Sequence, residues 1–358
     1  MKELIDELFE IIKDHMEEIS FTSKERIENW ITQFDTADRE FVMKETIHIL
    51  KQRYISKKNG KEHVRGMIEY LMEQNGCETV KEFIAQSYFI NNQAEGKSQG
   101  QLLSFLDEIL QKEYDTSLSE CNDATAKYIV YLDDILCTGQ TIIDGLTHKE
   151  HGWFNLNHSS GVSNYDYFKD NNAKLLLGYL SVHKRCSNKL NGRLWFALGK
   201  RPISYTTIWR EDFVIDNDIS IKDSSLNFLW PTADSLTEDN TEGKAQIEQK
   251  VIDNEYAKVT EIPLRDKSTP AKESLFTSKE NRIRYETIIL SKSLDIYNKA
   301  PGLNAKARSR PLGYGLYHEM TFGFGTLIFS WRNVPFNTPL VFWYPHNDWT
   351  PLFHRNYT

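Results

Sequence analysis

The residues best suited to chemistry lie in one short stretch, from Asp133 to Thr141. Asp133 and Asp134 come directly after Tyr128 to Leu132, a continuous apolar run that predicts a strand covered on both faces. Adjacent carboxylates can accept hydrogen bonds from the vicinal hydroxyls of a ribose or hold Mg²⁺. The alternative is that the two acids are a solvated strand end.

The loop after these acids is a candidate phosphate site, formed by Thr138, Gly139, Gln140 and Thr141. It leads into a predicted helix, where backbone N–H groups and the threonine hydroxyls would face an anion. Gly139 lets the backbone approach that anion closely. Acids for a sugar and donors for its phosphate, side by side, fit a ribose 5-phosphate. The structural alternative is that Thr138 only caps the helix.

The chain around this stretch predicts the elements that position it. Gln86 to Ile90, Lys174 to Val182 and Ile203 to Trp209 are further predicted strands, with helical patterns between them. Alternation of strand and helix indicates an α/β fold with a parallel, doubly wound sheet. Since ligands bind such sheets at the carboxyl ends of the strands, we expect the acids and the loop at the binding edge.

The stretch from Ile129 to Thr141 resembles the ribose 5-phosphate motif of the phosphoribosyltransferases. The resemblance implies a type I phosphoribosyltransferase fold. It also implies that Asp133 and Asp134 contact the ribose hydroxyls of PRPP (5-phosphoribosyl 1-pyrophosphate) or a nucleotide, act as the catalytic pair and hold Mg²⁺ indirectly. The loop after them would bind the 5-phosphate. Two positions depart from the pattern, because Tyr131 is bulkier than usual and Cys137 replaces a small residue or a hydroxyl.

Members of that family grip pyrophosphate with the loop after their first strand. The matching loop here contains Gly96, Lys97 and Ser98, which offer close backbone approach, a cation and a hydroxyl. The alternative is a polar turn that Ser98 caps. The family's mobile catalytic hairpin has no evident counterpart, because only one predicted helix and the segment from Tyr114 to Thr125 separate the two motifs.

The C-terminal segment is rich in Gly, Pro and aromatic residues and is a candidate cap over the site. Phe322 and Phe324 could stack on a base, and Asn333 and Asn337 could contact its edge or orient phosphate. The alternative is an aromatic core with Pro and Asn turns.

These C-terminal motifs, together with Phe276, Arg282 and Glu286, are similar to a divergent subgroup of phosphoribosyltransferase-like proteins. That subgroup is linked to prokaryotic conflict systems and includes retron effectors. The similarity implies an anti-phage toxin that a reverse transcriptase and its DNA–RNA product hold inactive. Arg282 and Glu286 also fit an ion pair one turn apart on a helix.

The chain of 358 residues divides into three predicted regions. Residues 1–76 predict a helical bundle or a helix-turn-helix-like module for docking. Residues 77–216 and 271–358 predict the phosphoribosyltransferase-like domain with its C-terminal cap. Residues 217–270 are rich in Asp, Glu, Thr, Ser and Asn and predict a polar insertion or linker.

The overall charge and hydropathy exclude some classes of function. Lys and Arg number 43 and Asp and Glu 51, so the net charge of −8 argues against a protein that coats nucleic acid, although a local basic patch is allowed. No run of about 18 apolar residues predicts a membrane span, and the acidic amphipathic start is unlike a secretory signal. We therefore expect a cytoplasmic protein without a membrane partner.

Two functions follow from these features. The first is a magnesium-dependent glycosyl-transfer or nucleotide-cleaving enzyme that uses PRPP or a nucleotide. The alternative is a non-catalytic PRPP or nucleotide sensor, or a regulatory subunit of a defence complex, which the missing hairpin favours. Relatives of this kind are commonly dimers, so a homodimer is a further expectation of the resemblance.

Overall fold

The computed structural model of the protein describes residues 1–94, 97–217, 225–253, 261–300, 302, 308–315, 321–346 and 348–355. Two compact units are present. We call Lys58–Val214 the sheet unit, and Met1–Lys57 with Ile215–Tyr357 the discontinuous unit.

The sheet unit is built around four parallel strands among its described residues. Their order is β2–β3–β4–β5. The strands are β2 (Ser87–Phe89), β3 (Tyr128–Leu136), β4 (Lys174–Val182) and β5 (Tyr205–Ile208). The helices are α4 (Lys57–Gln74), α5 (Val80–Ala85), α6 (Ser98–Glu113), α7 (Gln140–Thr147), α8 (Asn164–Asp170) and α9 (Lys184–Ala197). The α/β class and the parallel sheet predicted from the sequence are confirmed.

Alternate residues of the central strands face opposite sides of the sheet, as strand geometry requires. Ile129 and Tyr131 of β3, with Leu175 and Leu177 of β4, belong to one apolar cluster with side chains from α7, α8 and α9. That face of the sheet is therefore covered by the helices that follow β3.

The opposite face is covered by α4 and α6. Gly178 of β4 lies so close to Met67 of α4 that an added Cβ would be 2.1 Å from the Met67 Sδ atom. Helix α6 lies beside α4, where Lys61 Nζ is 2.5 Å from Glu108 Oε2. Helix α4 was predicted to belong to an N-terminal module, but it is part of the sheet unit because its apolar side faces β4.

The strand order departs from the predicted doubly wound arrangement. A doubly wound sheet reverses its strand order at one point, whereas the four described strands follow chain order. The connection from β2 to β3 and the connection from β3 to β4 advance in the same direction but carry their helices on opposite faces. These two connections therefore have opposite handedness, although about 98% of such crossovers are right-handed.

The discontinuous unit is mainly helical among its described residues. Its helices are α1 (Lys2–Ile12), α2 (Lys24–Thr32), α3 (Arg39–Arg53), α10 (Glu238–Asp253) and α11 (Lys279–Lys299), with a short helix at Leu340–Trp343. Strands β1 (Tyr54–Ile55) and β6 (Phe329–Ser330) pair in parallel. Thus the first 57 residues and the C-terminal segment share one core.

Aromatic packing explains why the N-terminal helices do not form a separate module. Trp30 is fully buried, stacks on Phe342 with 5.9 Å between ring centroids, and donates from Nε1 to the Val341 carbonyl at 3.1 Å. Helices of this length cannot bury their apolar faces alone. The C-terminal segment supplies the missing surface, so the predicted division at residue 76 is replaced by one at residue 57.

The predicted polar insertion, 217–270, also contributes to this core. Leu229, Ile247 and Ile262 are buried in the same apolar cluster as the N-terminal helices. Its polar residues had suggested a linker, but in α10 the apolar Ile247 faces the core of the unit.

A buried charge cluster ties this segment to α11. Arg282 and Glu286 are fully buried, with 3.5 Å between Nη1 and Oε1. Arg265 Nη2 lies 2.6 Å from Glu286 Oε2, and Arg282 Nε lies 2.6 Å from Glu273 Oε2. The sequence predicted a simple helix ion pair, whereas the structure extends it into a network of four charged side chains.

Candidate functional site

Asp133 lies near the carboxyl end of β3 and is 6% exposed. The hydroxyl of Ser98, the first residue of α6, donates to Asp133 Oδ1. Gln93 Nε2 donates to Asp133 Oδ2 at 3.1 Å, and the Asp134 backbone N–H donates to Oδ1 at 2.9 Å. The loop after β2 and the acid at the end of β3 therefore meet, as the parallel arrangement predicts.

The buried position of Asp133 changes its acidity. Burial raises the pKa of the Asp133 carboxyl to about 7, and the neighbouring charge of Asp134 raises this pKa as well. Hydrogen bonds from Ser98, the Asp134 backbone and Gln93 oppose this shift because they favour the ionised form. Asp133 thus changes charge near neutral pH, which is a property found frequently at functional sites.

Asp134 has different surroundings from its neighbour. Its side chain is half-buried, and its Oδ1 accepts a hydrogen bond from the Ile135 backbone N–H at 2.7 Å. Asp134 is therefore the more accessible of the two carboxylates to a ligand from solution.

Gln93 connects the loop after β2 to the interior of the site. Its Nε2 donates to the Tyr131 hydroxyl at 2.9 Å as well as to Asp133. Gln99 Oε1 accepts from the backbone N–H groups of Asn92 and Gln93, at 2.8 and 3.1 Å. The unusual bulk of Tyr131 has a role here, since its hydroxyl reaches this loop. Sequence reasoning missed Gln93 and Gln99, whose only indication was a position within a polar loop after a strand.

The predicted phosphate loop has the conformation that its sequence suggested. Gly139 has a φ of 74°, which favours glycine, and α7 begins at the next residue. The Gln140 backbone N–H donates to Thr138 Oγ1 at 3.3 Å. Thr141 is exposed in the first turn of α7. The loop thus turns sharply at the amino end of a helix, which is favourable for an anion.

Arg193 of α9 holds this loop from the side. Its Nη1 donates to the Thr138 carbonyl, and its Nη2 donates to Gln140 Oε1 at 2.9 Å. An added Cβ at Gly139 would be 3.4 Å from Arg193 Nη1. The planar guanidinium therefore fixes the loop and places a positive charge beside it. Sequence reasoning missed Arg193 because α7, α8 and β4 lie between the loop and its helix in the chain.

The remaining predicted site residues fall in two parts of the chain. Lys97 is exposed immediately before α6, and Gly96 is outside the described residues. Phe322, Phe324, Asn333 and Asn337 belong to the discontinuous unit. Of these, Phe322 is part of its apolar core, and the Asn337 Nδ2 atom donates to the Tyr314 carbonyl at 2.9 Å.

The segment between α6 and β3 contains short turns. Leu118–Glu120 and Asp123–Thr125 are single 3-10 turns, and no strand occurs between Glu113 and Tyr128. A catalytic hairpin is therefore absent from this described segment.

The acidic pair suits a metal that a ligand brings with it. The part of the chain that the structure describes contains no group of three or more His, Cys, Asp or Glu side chains arranged to hold a metal ion. Mg²⁺ is commonly bound through one or two carboxylates together with substrate phosphates. The half-buried Asp134 and the adjacent Asp133 fit that kind of binding.

No described helix is long and apolar enough to cross a bilayer.

Comparison with known protein families gives a match over most of the chain. A family model described as PRTase-CE matches residues 27–355. No curated protein and no solved structure matches significantly. The match includes the acidic pair, the loop that follows it and most of the discontinuous unit, but not α1.

Proposed function

Because the chain belongs to the PRTase-CE family and is phosphoribosyltransferase-like, we propose that it binds PRPP or the ribose 5-phosphate of a nucleotide at the Asp133 site. The observation that carries the proposal is the hydrogen bond that the Ser98 hydroxyl donates to Asp133. This contact brings together the candidate pyrophosphate loop and the candidate ribose acids, which supports binding of one PRPP molecule across both.

Different residues of the site bind different parts of the proposed ligand. Asp134 accepts hydrogen bonds from the ribose hydroxyls, while Asp133 supports it from the interior and stays close to the sugar. The backbone N–H groups after Gly139 bind the 5-phosphate, and the exposed Lys97 attracts the pyrophosphate. Mg²⁺, when bound, would neutralise pyrophosphate charge, with the two acids holding it through the ligand and water.

The reaction that fits this site is substitution at C1 of the ribose. The bond from C1 to the leaving pyrophosphate, or to the base of a nucleotide, breaks and its electron pair leaves with that group. A base or a water molecule then forms the new bond to C1 and releases a proton to solvent. The positive charge that develops on the ribose is stabilised by the nearby carboxylates, so positioning and electrostatics supply the catalysis.

Isothermal titration tests the ligand. We expect the full-length protein to bind PRPP more tightly with Mg²⁺ than without it. Asp134→Asn should weaken binding by about tenfold or more, since charged hydrogen bonds are worth about 1.5–3 kcal/mol. The matched control is Asp170→Asn, at an exposed position at the end of α8. If neither PRPP nor AMP binds the wild-type protein, or if Asp134→Asn binds both fully, the proposed site is wrong.

A second candidate function is a ligand sensor without turnover. The absence of a hairpin between Glu113 and Tyr128 favours it, because phosphoribosyltransferases use that element during catalysis. Nucleotide profiling of a reaction mixture distinguishes the two functions. Binding with loss of PRPP or nucleotide indicates the enzyme, and binding without consumption indicates the sensor. The anti-phage role, the reverse transcriptase with its DNA–RNA product and the homodimer stay predictions.

A further inference from the structure

A strongly basic segment stands out in this acidic chain. Residues 184–201 contain six Lys or Arg and no Asp or Glu, whereas the whole chain has a net charge of −8. The segment forms α9 and the turn that follows it. Local charge of one sign on one element attracts partners of the opposite sign, even when the protein as a whole is acidic.

Helix α9 presents most of this charge to solvent. Its inward side is Cys186, Leu190 and Leu194, which are buried at four-residue intervals. The cations Lys184, Lys189, Lys200 and Arg201 are exposed, whereas Arg193 turns toward the phosphate loop. Four of the six cations therefore face solvent, and one holds the site already described.

Two aromatic rings lie on the same exposed side. Trp195 is 44% exposed and Phe196 is 75% exposed, the largest exposed fraction among the large apolar side chains that the structure describes. The Lys200 ammonium lies 5.9 Å from the centre of the Trp195 ring. Burying such rings would be favourable by roughly 1.5–3 kcal/mol each, so their exposure beside cations indicates a surface that a partner covers.

We propose that this outer face of α9 binds single-stranded nucleic acid. Exposed aromatic rings provide platforms for unpaired bases, and the flanking cations bind the phosphates that connect them. The exposed amides of Asn188 and Asn191 can donate to and accept from base edges. A duplex would conceal its base faces, and an acidic protein would engage the cations without requiring the rings. The surface is separate from the PRPP proposal and does not depend on it.

Fluorescence anisotropy with labelled oligo-dT and oligo-U of about 20 nucleotides tests this surface, at about 50 and about 200 mM salt. The double variant Trp195→Ala/Phe196→Ala should lose about tenfold or more in affinity at both salt concentrations. The double variant Lys184→Gln/Lys189→Gln should bind more weakly and show a smaller dependence on salt. The matched control is Tyr70→Ala/Lys58→Gln on α4, where an aromatic ring and a cation are also exposed and binding should be unchanged.

Three results would overturn the proposal. The first is that wild-type protein does not bind either oligonucleotide at low salt. The second is equally tight binding of poly-glutamate or of a duplex of the same length. The third is full affinity in the aromatic variant. A variant with Trp195→Leu/Phe196→Leu keeps apolar side chains while removing both rings, so its loss of binding separates base stacking from general apolar contact. Circular dichroism establishes that each variant is folded.

Discussion

Asp133 and Asp134 are adjacent in sequence, yet their surroundings assign them different tasks. Asp133 accepts from Ser98, Gln93 and the backbone and is nearly inaccessible. Asp134 is half-buried and can meet a ligand. The inner carboxylate is thus suited to hold the loop after β2 in place, while the outer one is the carboxylate that we propose to contact the sugar. This division explains why two acids are useful where one carboxylate could accept the same hydrogen bonds.

The raised pKa of Asp133 makes a prediction about stability. Its carboxyl binds a proton more tightly in the folded protein, with a pKa of about 7, than in the unfolded chain, where the ordinary value is about 4. Folding stability contributed by this group is therefore present below about pH 4 and is lost as the pH rises to about 7. Asp133→Asn removes the titration. The melting temperature of the variant should therefore rise relative to that of wild type as the pH increases from about 4 to about 7.

Thermal melts at several pH values between about 4 and 8 measure this difference. We expect a gain of several degrees, at about 2–4 °C for each kcal/mol. Asp170→Asn removes an exposed carboxylate from the same unit and serves as the control. A difference in melting temperature that stays constant, or that falls as the pH rises, would show that Asp133 does not titrate in this way.

A second prediction at the residue scale concerns Arg193, and it depends on the proposed 5-phosphate site. Arg193→Met removes both donors to the Thr138–Gln140 loop and the charge beside it. Affinity for ribose 5-phosphate should fall by about tenfold, and Arg193→Lys should restore part of it because lysine keeps the charge without the planar fork.

Two measurements separate ligand contact from loop support. Titration calorimetry gives the affinities, with Lys189→Met on the same helix as control. Hydrogen exchange of the Gln140 backbone amide reports the loop directly and should become faster in Arg193→Met without any ligand. An unchanged exchange rate together with unchanged affinity would contradict the role of Arg193.

At the scale of the elements, β4 pairs with β3 in the sheet and packs closely against α4 through one face. Gly178 has no side chain, and the space above it is filled by Met67 of α4 and Leu132 of β3. Leu132 is the residue immediately before Asp133, so this packing supports the strand that carries the site. The close approach of α4 to the sheet depends on glycine at this position.

Gly178→Ala should therefore destabilise the protein. The new Cβ would lie 2.1 Å from Met67 Sδ and 2.7 Å from Leu132 Cδ2. Overpacking of this kind costs about 1–3 kcal/mol. Urea unfolding measures the loss. Met67→Ala in the Gly178→Ala background should recover part of it, and a double variant no more stable than the sum of the two single changes would contradict this packing.

Local pattern predicted where the central strands lie, but β3 was expected to end at Leu132, before the acids, and instead continues through them to Leu136. Lys174 to Val182 was predicted at the observed bounds of β4, and the acids were expected at the binding edge from the rule for parallel strand ends. The contacts of Arg193 with the phosphate loop and of Met67 with Gly178 could not be predicted. They depend on how distant helices are placed across the sheet, and no periodicity in the sequence encodes that distance.

The same limit applies to the opposite handedness of the first two connections. Each connection alone has an ordinary pattern of strand, helix and strand. The difference lies in which face of the sheet receives each helix, and α6 packs beside α4. Sequence reasoning expected a doubly wound sheet from the alternation of strands and helices, which does not reveal the face that each helix covers.

At the scale of the whole molecule, the chain enters the sheet unit once and leaves it once, at residues 57 and 214. We expect the fragment 58–214 to fold alone, since it contains the sheet and the helices on both faces. Circular dichroism and a cooperative thermal transition would establish this. A fragment without such a transition would show that the sheet unit needs the remainder of the chain.

The matched fragment 77–214 follows the boundary that the sequence suggested and lacks α4. It should remain unfolded, because it loses four buried side chains, those of Val64, Met67, Ile68 and Leu71. Each such loss costs about 2–5 kcal/mol, and the sum is comparable with the whole stability of a domain. Cooperative folding of this shorter fragment would contradict the role given to α4.

The shared core of residues 1–57 and the C-terminal segment also has a consequence for synthesis on the ribosome. Helices α1 to α3 leave the exit tunnel before the sheet unit, but α11, which contacts α3, ends only at Lys299. At about 5–20 residues per second, the N-terminal helices wait roughly 10–50 s for that partner. During this interval the continuous sheet unit can fold while the apolar side of the first helices is still uncovered. Nascent chains of this protein should therefore be clients of chaperones that bind early, at the N-terminal segment, rather than late.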